Sequence, residues 1–175
     1  MPIALALGVE RRVALLVLGA LALIAVAVEV ARATSPTIGA RFEGVFHPLM
    51  RLHESTRVTG ATWLISAMFL AVLLLPRDAA IVATWAAAVG DTAAALIGMR
   101  FGRIRSSHDG KSLEGSAACL LATMAGALLL TGAGAGMALL AAVAATAAER
   151  LPWPHDDNVR IITAVGVTMM IAMAP

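Results

Sequence analysis

Residues able to do chemistry are few in this chain, and they fall in clusters. Asp91 sits inside an apolar run, about eight residues before its end, so roughly 12 Å deep if the run is a helix. A carboxylate at that depth in lipid is costly and usually faces a polar interior with a partner. It suits a metal ligand or a base; the plainer role is an ion pair with a loop arginine. Next come Lys111, Ser112 and Glu114. Ser112 is placed to cap a helix, with Glu114 in its first turn. A helix N-terminus favours anions, and Lys111 beside it adds a point charge suited to phosphate. Glu114 could then hold a divalent cation bridging those phosphates, or could merely complement the helix dipole. Gly110-Lys111-Ser112 looks like the end of a P-loop, G-x-x-x-x-G-K-[ST]. Arg105 stands where the first glycine belongs, and no strand-like run precedes it, so that motif is excluded.

Three further groups are candidates. Arg100, Arg103 and Arg105 form a basic loop ahead of Lys111. Such a loop could fix topology, touch anionic lipid or clamp a triphosphate. "HDDN" (155–158) offers hard-cation or ribose chemistry through Asp156, Asp157 and Asn158. Its plainer reading is a solvated turn with Asn158 capping the following helix. His53-Glu54 could act as acid and base, or simply mark a wet boundary.

These groups are embedded in a chain of 175 residues that is 60% hydrophobic and only 14% charged. A soluble domain carries roughly 25% charge. The composition therefore indicates an integral membrane protein of one domain. The net charge of +2 points to no polyanion, so nucleic acid is not an expected partner. Cys119, the single cysteine, lies in an apolar run and reads as packing.

A spanning helix needs about 20 apolar residues. The runs Val13–Ala31, Thr59–Leu75, Ala79–Gly98, Gly115–Thr131, Met137–Ala148 and Ile161–Ala174 predict an all-α bundle of about six transmembrane helices. The first run reads as a retained helix, because Glu29 and Arg32 follow it instead of a small-residue cleavage site. Pro76 ends the second run, and "TGAGAG" (131–136) breaks the chain after the fourth. The last two runs are short for a span, so neighbours are expected to cover them in part. Gly90, Ala94 and Gly98 recur every four residues, a spacing that lets helices approach closely. Between the first two runs, Ile38, Phe42, Val45, Phe46 and Leu49 recur at helical spacing, predicting an amphipathic helix in the membrane interface.

Six spans put the connections 32–58, 99–113 and 149–160 on one side. That side carries most of the arginines and lysines, among them Arg32, Arg41, Arg51, Arg57, Arg100, Arg103, Arg105, Lys111, Arg150 and Arg160. The positive-inside rule makes it cytoplasmic, with both termini outside. The same side collects nearly every other polar residue, which a purely structural bundle does not need.

Taken together, "GDTAAALIGMRFGRIRSSHDGKSLEGS" (90–116) resembles the membrane family of CTP-dependent lipid-alcohol kinases: dolichol kinase, phytol kinase and the CTP-type diacylglycerol kinase. The matching residues are Gly90-Asp91, Gly98, Gly102 and Lys111-Ser112-x-Glu114-Gly115-Ser116. Glu149 with Asp157-Asn158 looks like the family's downstream segment, and Glu29, Arg32 and "HESTRVTGAT" (53–62) look like bacterial members. The likeness covers about residues 29–165. A further basic segment ending in histidine, found in some members, is absent from "GVERRVALL".

The resemblance implies phosphorylation of a lipid alcohol (polyprenol, phytol or diacylglycerol) by CTP with Mg²⁺, at the cytoplasmic face of a cell or plasma membrane. Asp91, Glu114 and Asp157 would gather the metal and the acceptor hydroxyl. Lys111, Ser112, Gly115, Ser116, Asn158 and some of Arg100, Arg103 and Arg105 would hold nucleotide. Glu29, Arg32, His53, Glu54 and Glu149 form a possible further polar site. A homodimer is compatible with the many small-residue faces. The alternatives are a CTP:phosphatidate-type cytidylyltransferase, whose later motifs are missing here, and a non-enzymatic transporter or assembly subunit.

Overall fold

The architecture comes from a computed structural model, in which residues 1–46, 58–106, 110–151 and 156–174 are described. Every regular element among them is helical: α1 (Pro2–Ala6), α2 (Arg11–Thr34), α3 (Pro36–Phe46), α4 (Gly60–Leu74), α5 (Arg77–Trp85), a π-turn (Ala86–Gly90), α6 (Asp91–Phe101), α7 (Leu113–Thr131), α8 (Ala135–Arg150) and α9 (Asp157–Ala172). The short α1 has no counterpart in the sequence reading. It docks by Leu5, which is buried, while the Arg77 guanidinium donates to the Leu5 carbonyl.

Among the described residues, three helical stretches are long and apolar enough to cross a membrane: Arg11–Thr34, Arg77–Phe101 and Leu113–Thr131. The remaining apolar helices are shorter, with 15 residues in α4 and 16 each in α8 and α9. Sixteen residues rise only about 24 Å, against a hydrocarbon core of about 30 Å. As expected, neighbours cover the two short C-terminal helices. Ala138, Ala141, Ala142 and Ala145 of α8 and Ile161 and Val165 of α9 are shut off from solvent.

The chain breaks where its residues require. Leu75 is extended at ψ 154° and Pro76 follows, so α4 cannot continue. Gly132 ends α7 in the left-handed region at φ 65°, a conformation that glycine adopts without steric cost. The polar connections start helices by capping. Ser112 Oγ accepts from the Gly115 N–H at 3.0 Å. Asp156 Oδ1 accepts from the Asn158 N–H at 3.0 Å, so Asp156 caps α9 and Asn158 does not.

Helix α5 is the centre of the bundle, with every residue from Ala79 to Thr84 buried. Helices α6, α7, α8 and α9 pack in sequence beside it, while α2 pairs with α4. Alanine and glycine make this possible, because close helix approach needs small side chains. A Cβ on Gly90 would lie 2.6 Å from Thr123 Oγ1, one on Gly98 2.9 Å from Ser112 Oγ, and one on Gly115 2.7 Å from the Ala94 carbonyl. The small-residue spacing of α6 therefore does what it predicts. By contrast α2 keeps most of its apolar surface outward, with Leu16, Leu23 and Ile24 exposed. An apolar helix of that kind belongs against lipid.

Helix α3 follows α2 after one extended residue, Ser35, and packs against α2 without burying a residue of its own. Its Phe42 and Phe46 rings meet at 4.7 Å, and the Arg32 guanidinium lies 4.9 Å from the Phe42 ring centre. A helix is thus present over 36–46, where the sequence predicts one; Leu49 lies outside the described residues.

The tightest contact is between α5 and α7. Trp85 Nε1 donates to the Ala122 carbonyl at 2.8 Å. A Cβ on Gly126 would fall 2.1 Å from that same nitrogen. Gly126→Val must displace the indole and is expected to cost about 1–3 kcal/mol, as overpacking does. Combined with Trp85→Leu, the loss should be smaller than the sum of the two single losses. Unfolding midpoints of the purified chain in detergent check this; strict additivity would contradict the contact.

Candidate functional site

The polar connections meet at one end of the bundle, and two cavities open there. The larger, about 660 Å³, is walled by Ala25, Val28, Phe42, Phe46, Leu64 and Ala87 and is mainly apolar. The smaller, about 210 Å³, is the more polar of the two and is lined by Lys111, Arg105, Ser112, Glu149 and Asp157. Asp91 lines both cavities, and no other described residue does.

Local structure explains its position. The chain from 77 to 101 is one continuous helical stretch, interrupted by the π-turn immediately before Asp91. A π-turn inserts an extra residue per turn and so rotates everything after it; such turns are frequent at functional sites. Asp91 is half-buried at the first position after that rotation.

The polar cavity is built around Lys111. Its ammonium lies 3.0 Å from Glu149 Oε1 and 3.7 Å from Asp157 Oδ2, and it donates to the Glu149 carbonyl. Glu149 is only 5% exposed, and its second oxygen, Oε2, is buried with no hydrogen-bond partner among the described residues. Asp157 also pairs with Arg160, whose guanidinium reaches the Leu151 carbonyl. Arg105 ties the loop down, donating to the carbonyls of Gly98 at 2.8 Å and Gly110 at 3.1 Å. The Ser106 N–H donates to the Lys111 carbonyl, and the Leu113 N–H to that of Ile104, each at 2.9 Å. Lys111 is thus carried on a loop pinned from both sides.

A second polar cluster lies on the wall of the apolar cavity. Glu29 Oε1 accepts from the Thr59 N–H at 2.9 Å, the Thr59 hydroxyl at 2.7 Å and the Thr62 hydroxyl at 3.1 Å. Its Oε2 pairs with Arg32 Nε at 3.2 Å. One carboxylate at the end of α2 thereby secures the start of α4. Thr59 and Thr62 fall inside the family-like segment 53–62, which gave neither of them a role of its own; their position at a helix start is the local signal for it.

The expected site residues separate into those brought together and those held apart. Asp91, Lys111, Ser112, Arg105, Gly115 and Asp157 share the polar cavity, and Glu149 joins them there from the group read as a further polar site. Glu114 does not line it. Its carboxylate turns to the basic loop and accepts from the N–H groups of Arg103 at 3.0 Å and Ile104 at 3.3 Å. Arg100 lies 5.6 Å from the Phe101 ring centre and, like Arg103, is absent from the cavity wall. Ser116 accepts from Arg150 Nη1 at 3.2 Å instead. Asn158 lines the apolar cavity, with its amide donating to Asp156 Oδ1 at 2.8 Å. His53 and Glu54 lie outside the described residues.

The metal set expected from the sequence is not assembled. Among the described residues no three His, Cys, Asp or Glu side chains come close enough together to hold a metal ion. Asp91 and Asp157 face one cavity, whereas Glu114 faces the loop. Mg²⁺ does not require a full protein cage, since it takes one or two carboxylates and completes its shell with phosphate and water oxygens. The carboxylates of the polar cavity are donors of that kind. Chemically, the arrangement can hold an anion at Lys111, a hard cation at the carboxylates, and an apolar body with a hydroxyl near Asp91. No family model, curated protein or solved structure matches the chain.

Glu114→Ala removes the acceptor that holds the backbone at 103 and 104. Amide exchange at those two positions should speed up, while exchange along the interior of α7 stays as in the parent chain. Hydrogen–deuterium exchange read by mass spectrometry measures both; unchanged protection at 103 and 104 would contradict this role.

Proposed function

We propose that the chain is a CTP-dependent lipid-alcohol kinase, moving the γ-phosphoryl group of CTP onto the hydroxyl of a polyprenol, phytol or diacylglycerol. The observation that carries the reading is that Asp91, alone among the described residues, lines both cavities, one mainly apolar and one bearing the charged groups. A lipid body fits the first and a triphosphate fits the second. The resemblance of residues 90–116 to this kinase family supports the same assignment and supplies CTP as donor.

In the reaction the acceptor hydroxyl lies beside Asp91, which takes its proton. The hydroxyl oxygen forms a bond to the γ-phosphorus, the bond from that phosphorus to the β,γ-bridging oxygen breaks, and CDP leaves. Phosphoryl transfer depends mainly on positioning and on neutralising charge. Lys111 supplies positive charge to the phosphates, and Arg105 holds the loop that carries it. The N-terminus of α7, capped by Ser112, lies at the wall of the same cavity, so the positive end of its dipole favours the anion. Asp91 and Asp157 are the oxygen donors suited to Mg²⁺, which when bound neutralises phosphate charge.

The membrane arrangement follows from the same reading. Helices α2, α4, α5 with α6, α7, α8 and α9 make six crossings, α3 lies in the interface, and the end bearing both cavities faces the cytoplasm. Bundle ends rich in Arg and Lys face that way.

Two results are expected. Asp91→Asn should lower turnover by about 10²–10⁴-fold, the usual worth of a positioned base, while the unfolding midpoint is kept. The assay uses the purified chain in mixed micelles with CTP, Mg²⁺ and a lipid alcohol; parental turnover in Asp91→Asn would sink the assignment. In a Cys119→Ala background, cysteines at Ala133 and Pro76 should react with an impermeant thiol reagent on intact cells. Cysteines at Ile104 and Leu151 should react only after permeabilisation, and the reverse pattern would overturn the orientation.

A further inference from the structure

Glu149 is more deeply buried than any other acidic side chain among the described residues, at 5% exposure. Burying a carboxylate costs heavily unless both oxygens are satisfied. Here Oε1 has Lys111 at 3.0 Å, but Oε2 is buried without a donor among the described residues. One ammonium group therefore leaves this carboxylate half-satisfied. The same Nζ lies 3.7 Å from Asp157 Oδ2, which comes from a different helix. So the nitrogen marks a point within reach of carboxylate oxygens from α8 and α9, in a cavity that Asp91 also lines. A hard divalent cation at that point would use these oxygens and complete its shell with water or ligand oxygens.

We propose that Glu149 and Asp157 form a divalent-cation site that the Lys111 ammonium occupies in this structure, and that Lys111 moves to phosphate when metal and nucleotide arrive. Lys111 acts as a stand-in cation. It keeps the buried carboxylates neutralised while the cavity holds no ligand, and it keeps divalent cations from binding tightly on their own. Metal and nucleotide then bind together, because the triphosphate offers the displaced ammonium a new partner. Glu149, and not Glu114, is the buried carboxylate of the site. The nucleotide-linked half rests on the proposed function; the cation site itself does not.

The test needs no nucleotide. Mn²⁺ binding to the purified full chain is followed by the electron paramagnetic resonance signal of unbound Mn²⁺. Removing one positive charge at this range is worth at least about tenfold in cation affinity. Lys111→Met should therefore bind Mn²⁺ at least that much more tightly than the parent chain, and Lys111→Met with Glu149→Gln should lose the gain. Unfolding midpoints with and without Mn²⁺ cover the case in which Lys111→Met is weakly folded. Mn²⁺ should raise the midpoint of Lys111→Met far more than that of the parent. A Lys111→Met chain that neither binds Mn²⁺ more tightly nor is stabilised by it overturns the proposal, as does a double variant that keeps the gain. If the site is found but CTP does not raise Mn²⁺ affinity in the parent chain, the kinase reading fails and the cation site stands.

Discussion

A lysine on a loop and a nearly inaccessible glutamate at a helix end, in direct contact, set the terms for the polar end of this bundle. A buried ion pair contributes little net stability, yet losing one partner is expensive because a charge is left uncompensated. Lys111 and Glu149 are such a pair, joined by Asp157 and through it by Arg160. The pair ties the loop before α7 to the end of α8 and the start of α9. The charged wall of the polar cavity is positioned by that tie and by the clamp of Arg105 on Gly98 and Gly110.

The second constraint is steric. Alanine and glycine on α6, α7 and α8 let the helices close up until little space is left between them. At the polar end, space remains where the packing is interrupted, beside the π-turn and along the loosely covered face between α2, α3 and α4. The two cavities occupy those places, and the residue directly after the π-turn touches both. A carboxylate between an apolar and a polar chamber is well placed for chemistry joining a greasy acceptor to a charged donor. Helix α3 adds Phe42 and Phe46 to the apolar wall without being buried itself, and the Glu29–Arg32 pair fixes the helix ends beside it.

Much of this was legible in the sequence because it depends on neighbours along the chain. The apolar runs, the stop at Pro76, the glycine break after Thr131, the Ser112 cap and the close approach of α6 are all local. So was the gathering of polar loops at one end, which follows from counting helices. The role of Glu114 was not legible. Its place in the first turn of a helix fits a metal ligand and a loop anchor equally well, and only the path of residues 102–105 decides between them. Glu149 was placed with the further polar site, because its meeting with Lys111 joins residues 38 positions apart. In "HDDN" the sequence offered Asn158 as the cap, whereas Asp156 takes that role and Asn158 falls in the first turn of α9. Short helix α1 has little amphipathic pattern and is held by Leu5 and Arg77.

The most direct test of the account follows two labels. The chain in mixed micelles is given a lipid alcohol, phosphatidate, Mg²⁺ and CTP labelled either on the γ-phosphate or on the α-phosphate. The account predicts that the γ label alone enters the lipid fraction and that CDP accumulates. Entry of the α label into lipid with release of pyrophosphate would mean that the same cavities serve attack on the α-phosphate, and would contradict it. No transfer of either label would contradict it as well.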